Sequence, residues 1–278
     1  MMPSPKQALS GVVPPEPPFA MIDSHVHLDF DEFDADRDAL VASLKRAGVR
    51  QAVIPGVSAQ KWAKQLLVAS SYDFSYGLGV HPWYCNHNWQ QDIENLSKLL
   101  EVQGDDPRLV AMGECGLDGL HRQSWGYQLP CFEAQLQLAQ RHKLPVILHS
   151  VKAHNEVLAL LKRYPLVKGG VIHGFYGSMQ LAQRYVDAGC YIGIGHLLLE
   201  EKAKKLQETL VKLPLDHLVI ETDLALVSQV KKPDFADKTG GSSLILRLLI
   251  QKIAKLQKKS SVRVSEQVFQ NTLQLFDL

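Results

Sequence analysis

LPVILHSVKAHNEVLALLKRYPLVKGGVIH, residues 144–173, holds a strand, a helix and a second strand within thirty residues. PVILH (145–149) is short, apolar and β-branched. Apolar residues then recur at helical spacing over 153–164, and a Tyr-Pro step and a glycine pair break the chain before GGVIH (169–173). Continuous apolar strands joined through a helix are the mark of a parallel sheet covered on both faces. Working outward, the same unit recurs eight times. The other strands are read at AMID (20–23), AVIP (52–55), FSYGLG (74–79), LVAMGE (109–114), YIGIG (191–195) and HLVIE (217–221). Helices are read over 34–47, 59–70, 89–103, 127–143, 153–164, 178–188, 200–212 and 243–258, with a short closing helix near 265–276. Gly48 and Gly189 stand where left-handed helix caps are expected. Eight β-α units predict a (β/α)8 TIM barrel. An open doubly wound sheet shares the alternation, but no G-x-G-x-x-G or Walker loop follows any strand.

The chain has 278 residues, 46% of them hydrophobic and 21% charged, so one barrel domain over 20–278 accounts for its length and core. Residues 1–19 carry most of a proline-rich, poorly ordered leader, and Met21 is an alternative natural start. Thirty basic and twenty-nine acidic side chains balance to +1, which excludes polyanion binding through bulk charge. Cys85, Cys115, Cys131 and Cys190 form no C-x-x-C pair and suit free thiols, so a cytoplasmic location is expected. No signal peptide or membrane span is read, no protein partner is evident, and a monomer is the default expectation.

Active sites of such barrels lie at the strand C-termini. Here those ends read D-S-H-V-H (23–27), G-E-C-G-L-D (113–118), L-H-S (148–150), I-H-G-F (172–175) and E-T-D (221–223). With eleven histidines, about 0.4 H-x-H pairs per chain arise by chance, so His25 and His27 alone decide little. Residues i and i+2 of an extended segment nevertheless point to one side and reach one ion together. Singly, His149 and His173 read as hydrogen-bonded strand ends. Glu114 and Asp223 follow apolar strands, where a carboxylate needs a cation or several donors. Glu221 shares a side with Asp223, and the residues alone leave a role open to either.

Six nitrogen and oxygen donors exceed what one zinc takes, and a carboxylate bridging two ions uses such a surplus. The expected centre holds two divalent ions: His25, His27 and Asp223 on one, His149 and His173 on the other, with Glu114 between them. Asp223 is placed to take a proton from the attacking water. Zinc, manganese, nickel or iron suits this donor set, and magnesium suits it less.

In this order DSHVHLD (23–29), GVHPW (79–83), GECGLD (113–118), LPVILHS (144–150), HGFYGS (173–178), ETD (221–223) and QNTLQLF (270–276) resemble the TatD-like metal-dependent deoxyribonucleases of the amidohydrolase superfamily. LPVILHS and HGF-x-GS resemble its YjjV branch in particular. The resemblance implies a two-metal TIM-barrel phosphodiesterase with DNA as substrate, including 3′→5′ exonuclease action. It also implies that His25, His27, Glu114, His149, His173 and Asp223 are the metal ligands. His81 matches the G-x-H-P histidine, for which the family implies contact with substrate phosphate; on the residues alone it is a loop histidine braced by Pro82.

Departures from the family pattern surround the ligands. Val151 and Lys152 follow L-H-S where an arginine and a charged residue are usual, and His196 follows Gly195 in place of a second glycine. Leu224, Ala225 and Leu226 follow E-T-D, the asparagine-proline loop is not recognisable in 231–242, and Gly119 replaces an aromatic residue. Lys152 is read either as a substitute cation for substrate phosphate, without arginine's fork, or as a solvated rim lysine. Trp83, Tyr84, Trp89 and Trp125 are read on or near rim loops, where they stack on unpaired bases or roof the barrel. The lysine runs of 202–205 and 251–259 fall on outer helices and read as solvated faces. Two further readings keep the metals: a hydrolase of small esters, lactones or amides, and a metal-binding protein with little turnover.

Overall fold

The computed structural model describes residues 19–224 and 241–278. The leader up to residue 18, Ala225, Leu226 and the divergent loop up to residue 240 lie outside the described residues. Eight parallel strands follow one another around a single sheet in chain order: β1 (Met21–Asp23), β2 (Val49–Ile54), β3 (Ser75–Leu78), β4 (Leu109–Asp118), β5 (Val146–Val151), β6 (Gly170–Ile172), β7 (Cys190–Ile194) and β8 (Leu218–Ile220). The Ser24 amide donates to Ile220 O (3.1 Å) and the Asp223 amide to His25 O (3.0 Å), which brings the two sheet edges together. The helices are α1 (Arg37–Arg46), α2 (Trp62–Tyr72), α3 (Trp89–Gln103), α4 (Trp125–His142), α5 (His154–Arg163), α6 (Met179–Asp187), α7 (Lys204–Lys212), α8 (Gly241–Gln257) and α9 (Ser261–Phe276). The TIM barrel predicted from the alternation is therefore present. None of the described helices is long and apolar enough to cross a membrane.

Alternation along the strands sorts the barrel interior into layers. Val53, Ala111, Ile147, Val171 and Val219 form an apolar cluster that Leu275 and Phe276 of α9 complete. Two residues further along three of these strands stand His149, His173 and Glu221, so the same pleat that buries valine and isoleucine aims the polar residues inward above them. Outward-facing residues such as Val146, Leu148 and Ile172 join the larger core beneath the helices.

Several boundaries differ from the sequence reading, and two of the shifts have a clear local cause. β4 runs past Glu114 to Asp118 because Cys115–Asp118 pair with Leu148–Val151. Gly116 makes this possible: it sits at φ +145°, and a Cβ there would lie 2.0 Å from His149 O. α9 begins at Ser261 instead of near 265 because Ser260 caps it, its hydroxyl accepting from the Arg263 amide at 3.2 Å. Three buried glutamines clasp strand ends that the ladder leaves bare. Gln65 donates to Ile54 O (2.8 Å) and Gly77 O (2.6 Å), Gln128 pairs with both backbone groups of Asp118, and Gln135 with both of Val80.

Phe276 is 2% exposed and helps close the apolar cluster at the end of the barrel interior remote from the polar layer. Phe276→Ala is expected to lower unfolding free energy by about 3–5 kcal/mol, the cost of a large aromatic cavity, while leaving metal content unchanged. Chemical denaturation followed by far-UV circular dichroism checks this, and a loss under 1 kcal/mol would show that the plug is dispensable.

Candidate metal centre

The segment that follows β1 places His25 and His27 side by side, both buried, with their Nε2 atoms 3.1 Å apart. Asp23 straps this segment to the end of β8: its carboxylate accepts from the His25 amide (3.3 Å), the Thr222 amide (3.0 Å) and the Thr222 hydroxyl (2.6 Å). Burial raises the Asp23 pKa to about 7 against these donors. The strap holds the H-x-H pair against Asp223, which lies at φ +48°, in the left-handed region that aspartate tolerates better than most residues. Asp223 Oδ1 lies 3.8 Å from His27 Nε2.

Glu114 occupies the middle, and its two oxygens face different groups. Oε2 lies 3.2 Å from His25 Nε2 and 3.4 Å from His27 Nε2. Oε1 lies 2.7 Å from His173 Nε2, 2.9 Å from His149 Nδ1 and 3.2 Å from His81 Nε2. Burial acts against ionisation of Glu114, yet the surrounding imidazoles, His173 foremost, hold its carboxyl well below the usual range. His173 responds in kind: burial opposes its charge, but Glu114 lifts its pKa to about 10. For His25 burial dominates and lowers the pKa to about 4.

This donor set fits divalent cations. His25 Nε2 and His27 Nε2 face each other at 3.1 Å, and His149 Nδ1 and His173 Nε2 at 3.2 Å, so ring nitrogens crowd around the Glu114 carboxylate as ligand atoms crowd around an ion. The outer Nδ1 atoms of His25, His27 and His173 are buried without hydrogen-bond partners, that of His173 facing Glu221 Oε1 at 3.8 Å. His25, His27 and Glu114 form one compact donor triad and His81, Glu114 and His149 another. Glu221 adds a further grouping with His25 and His173: it is fully buried, its pKa is raised to about 8 by burial, and it accepts from the Gly174 amide. β7 makes room for it through Gly193, where a Cβ would stand 2.7 Å from Glu221 Oε2.

Histidines 149 and 81 differ in what fixes their tautomers. His149 Nε2 faces Asp118 Oδ2 at 3.3 Å, which directs its proton outward and its Nδ1 lone pair inward, the usual support for a ligating imidazole. His81 Nδ1 accepts from the Trp83 amide at 3.1 Å, so the neutral ring carries its proton on Nε2 and presents a donor to the centre. Burial depresses the His81 pKa to about 4, which keeps the ring neutral near pH 7.

Two cavities meet at His149, Val151, His173 and Asp223. The first is bounded by Phe30, Val57, His81, Trp83 and Tyr84, the second by Phe175, Gly195, His196, Leu197 and Glu221. Trp83 and Tyr84 thus reach the site as expected, whereas Trp89 and Trp125 begin α3 and α4 and pack against the core. Val151 lines both cavities; Lys152 is exposed at φ +52° just past β5 and lines neither. Leu224 is buried. Asp23, Asp118 and the glutamine clasps had no role in the sequence reading. The carboxylates left a signal, since Asp23 lies two residues from His25 and Asp118 four from Glu114, each an even offset along an extended chain.

Residues 22–277 match the model of the TatD related DNase family. An uncharacterized metal-dependent hydrolase, YjjV of Escherichia coli strain K12, is 32% identical over 270 residues, spanning 92% of this chain and 98% of the relative. The 3′-5′ ssDNA/RNA exonuclease TatD of Erwinia tasmaniensis is 30% identical over 264 residues, spanning 93% and 100%. The crystal structure of E. coli YjjV superposes with a TM-score of 0.81 at 30% identity, over 93% of this chain and 98% of that one. An eight-stranded barrel, imidazoles and carboxylates gathered at its strand ends and relatives matched over nearly their full length agree: the chain belongs to the TatD-related DNase family, and it is a metal-dependent hydrolase.

Proposed function

We propose that residues 20–278 form a single hydrolase domain that cleaves phosphodiester bonds of single-stranded DNA with two divalent ions, held by His25, His27 and Asp223 on one side and by His149 and His173 on the other, with Glu114 shared. The observation that carries this reading is the division of Glu114, one oxygen toward each group of imidazoles at 2.7–3.4 Å. Nitrogen-rich donors favour zinc, manganese, nickel or iron over magnesium. Divalent cations held there supply Lewis acidity toward a phosphoryl oxygen and acidify water.

The chain's own residues do the rest. Asp223 borders both cavities and accepts the proton of the attacking water at a carboxylate oxygen. His81, neutral and protonated on Nε2, donates to a non-bridging phosphate oxygen. Asp118 holds His149 in its inward tautomer and also accepts from the Trp83 indole at 2.6 Å, so the roof of the cavity and one ligand share an anchor. Trp83, 47% exposed at the cavity edge, offers a face for an unpaired base.

One feature favours a second reading, hydrolysis of small neutral esters or lactones: among the described residues no lysine or arginine lines either cavity. A single experiment separates the two. Metal-reconstituted protein is expected to shorten a 3′-labelled single-stranded DNA, to stop when a chelator is added and to resume when metal is restored. Turnover of lactones or aryl esters without cleavage of DNA would replace the nuclease reading with the second. Two bound ions with no hydrolysis of any of these would sink both.

A further inference from the structure

We propose that Lys61 forms a phosphate subsite at the edge of the catalytic cavity, holding a backbone phosphate of a bound strand next to, but distinct from, the phosphate that is cleaved. This rests on the nuclease reading and names the cation that the cavity walls lack. Lys61 stands at the start of α2, where its amide donates to Ser58 O (3.0 Å) and its carbonyl accepts from the Gln65 amide (3.0 Å). The next residue, Trp62, is buried and donates through its indole to Gly79 O (2.9 Å), so the backbone beneath Lys61 is fixed to two barrel loops.

From this base the side chain packs against two aromatic rings that border the cavity. Its Nζ lies 4.0 Å from the ring centroid of Phe30 and 5.5 Å from that of Tyr84, both of which border the first cavity. Ring faces attract the ammonium without consuming its three N–H donors, which stay free to meet phosphate oxygens. The neighbouring charges underline the difference. Lys64, one turn along α2, is bound by Asp31 and, at 2.7 Å, by Asp34. Asp29 lies within electrostatic reach of Lys61, yet among the described residues no carboxylate comes within 4.0 Å of the Lys61 ammonium. Lys61 is thus a half-buried cation held against the rings of Phe30 and Tyr84, with no carboxylate within 4.0 Å among the described residues. A nucleotide whose base rests beside those rings brings its own phosphate to Lys61, whereas a substrate with a single phosphate, placed at Glu114 and His81, has nothing to offer it.

The prediction separates substrates by phosphate count. Lys61→Gln is expected to raise KM for a single-stranded hexanucleotide about tenfold, the effect of one charge-assisted hydrogen bond, with kcat unchanged. Hydrolysis of a dinucleoside monophosphate should not change. Binding of a fluorescein-labelled hexanucleotide to the metal-free protein, followed by anisotropy across salt concentrations, should weaken similarly. Its slope of log affinity against log salt should shrink by about 0.7, the value for one phosphate contact on a single strand. Lys61→Arg should retain the wild-type slope, and Lys64→Gln, which removes a lysine already paired, should leave it unaltered. Equal hexanucleotide affinity and slope in wild type and Lys61→Gln would overturn the subsite, as would an equal loss on the one-phosphate substrate, which would mark a structural role. A wild-type protein that neither binds nor cleaves the hexanucleotide would overturn the nuclease reading and the subsite together.

Discussion

Glu114→Gln is expected to give a folded protein that binds less metal and has lost at least about 10³-fold in kcat/KM, equivalent to about 4 kcal/mol of transition-state stabilisation. The reason lies in the division of the carboxylate. Oε2 answers His25 and His27 while Oε1 answers His81, His149 and His173, all within 2.7–3.4 Å. A glutamine keeps the shape but presents an amide nitrogen to one of the two groups, and it removes the negative charge that balances whatever cation the imidazoles share. The loss therefore falls on both halves of the centre. Metal analysis of the purified variant beside wild type, with circular dichroism as the control for folding, checks this directly. Full metal content and full activity in Glu114→Gln would remove Glu114 from the centre.

Asp223→Asn tests a different property, because asparagine keeps an oxygen donor and tolerates φ +48° but accepts no proton. Its kcat is expected to fall about 10²–10⁴-fold, the usual contribution of a positioned general base, with KM and thermal stability close to wild type. Asp223→Ala should do worse on two further counts, losing the oxygen donor and destabilising the left-handed turn by roughly 1 kcal/mol. Wild-type kcat in the asparagine variant would transfer the proton-accepting role elsewhere, with Glu221 the nearest alternative: it lies two residues away, fully buried against His173 and Gly193.

The barrel was legible because its information is local and repeated. Eight apolar strands and their helices follow from hydrophobic spacing, and the pleat alone predicts that Ile147 with His149, Val171 with His173, and Val219 with Glu221 share a face. Strand ends carrying D-S-H-V-H, G-E-C-G-L-D, L-H-S, I-H-G-F and E-T-D were readable for the same reason, since the fold delivers all such ends to one rim. Other features depend on partners far away in the chain, and no window of sequence contains them. The extension of β4 to Asp118 comes from pairing with β5 across Gly116. Asp23 became a strap only when Thr222, 199 residues away, arrived beside it. His81 became a donor because the Trp83 amide fixes its tautomer, and among the described residues Asp31 and Asp34 pair with Lys64 while no carboxylate comes within 4.0 Å of Lys61. Sequence by itself determined which elements form and which residue types meet at the rim, since both follow from short-range periodicity. Tertiary structure decided which oxygen faces which imidazole, which nitrogen holds the proton and which lysine meets the carboxylates of Asp31 and Asp34, since these depend on distances of a few ångströms between segments that only folding brings together.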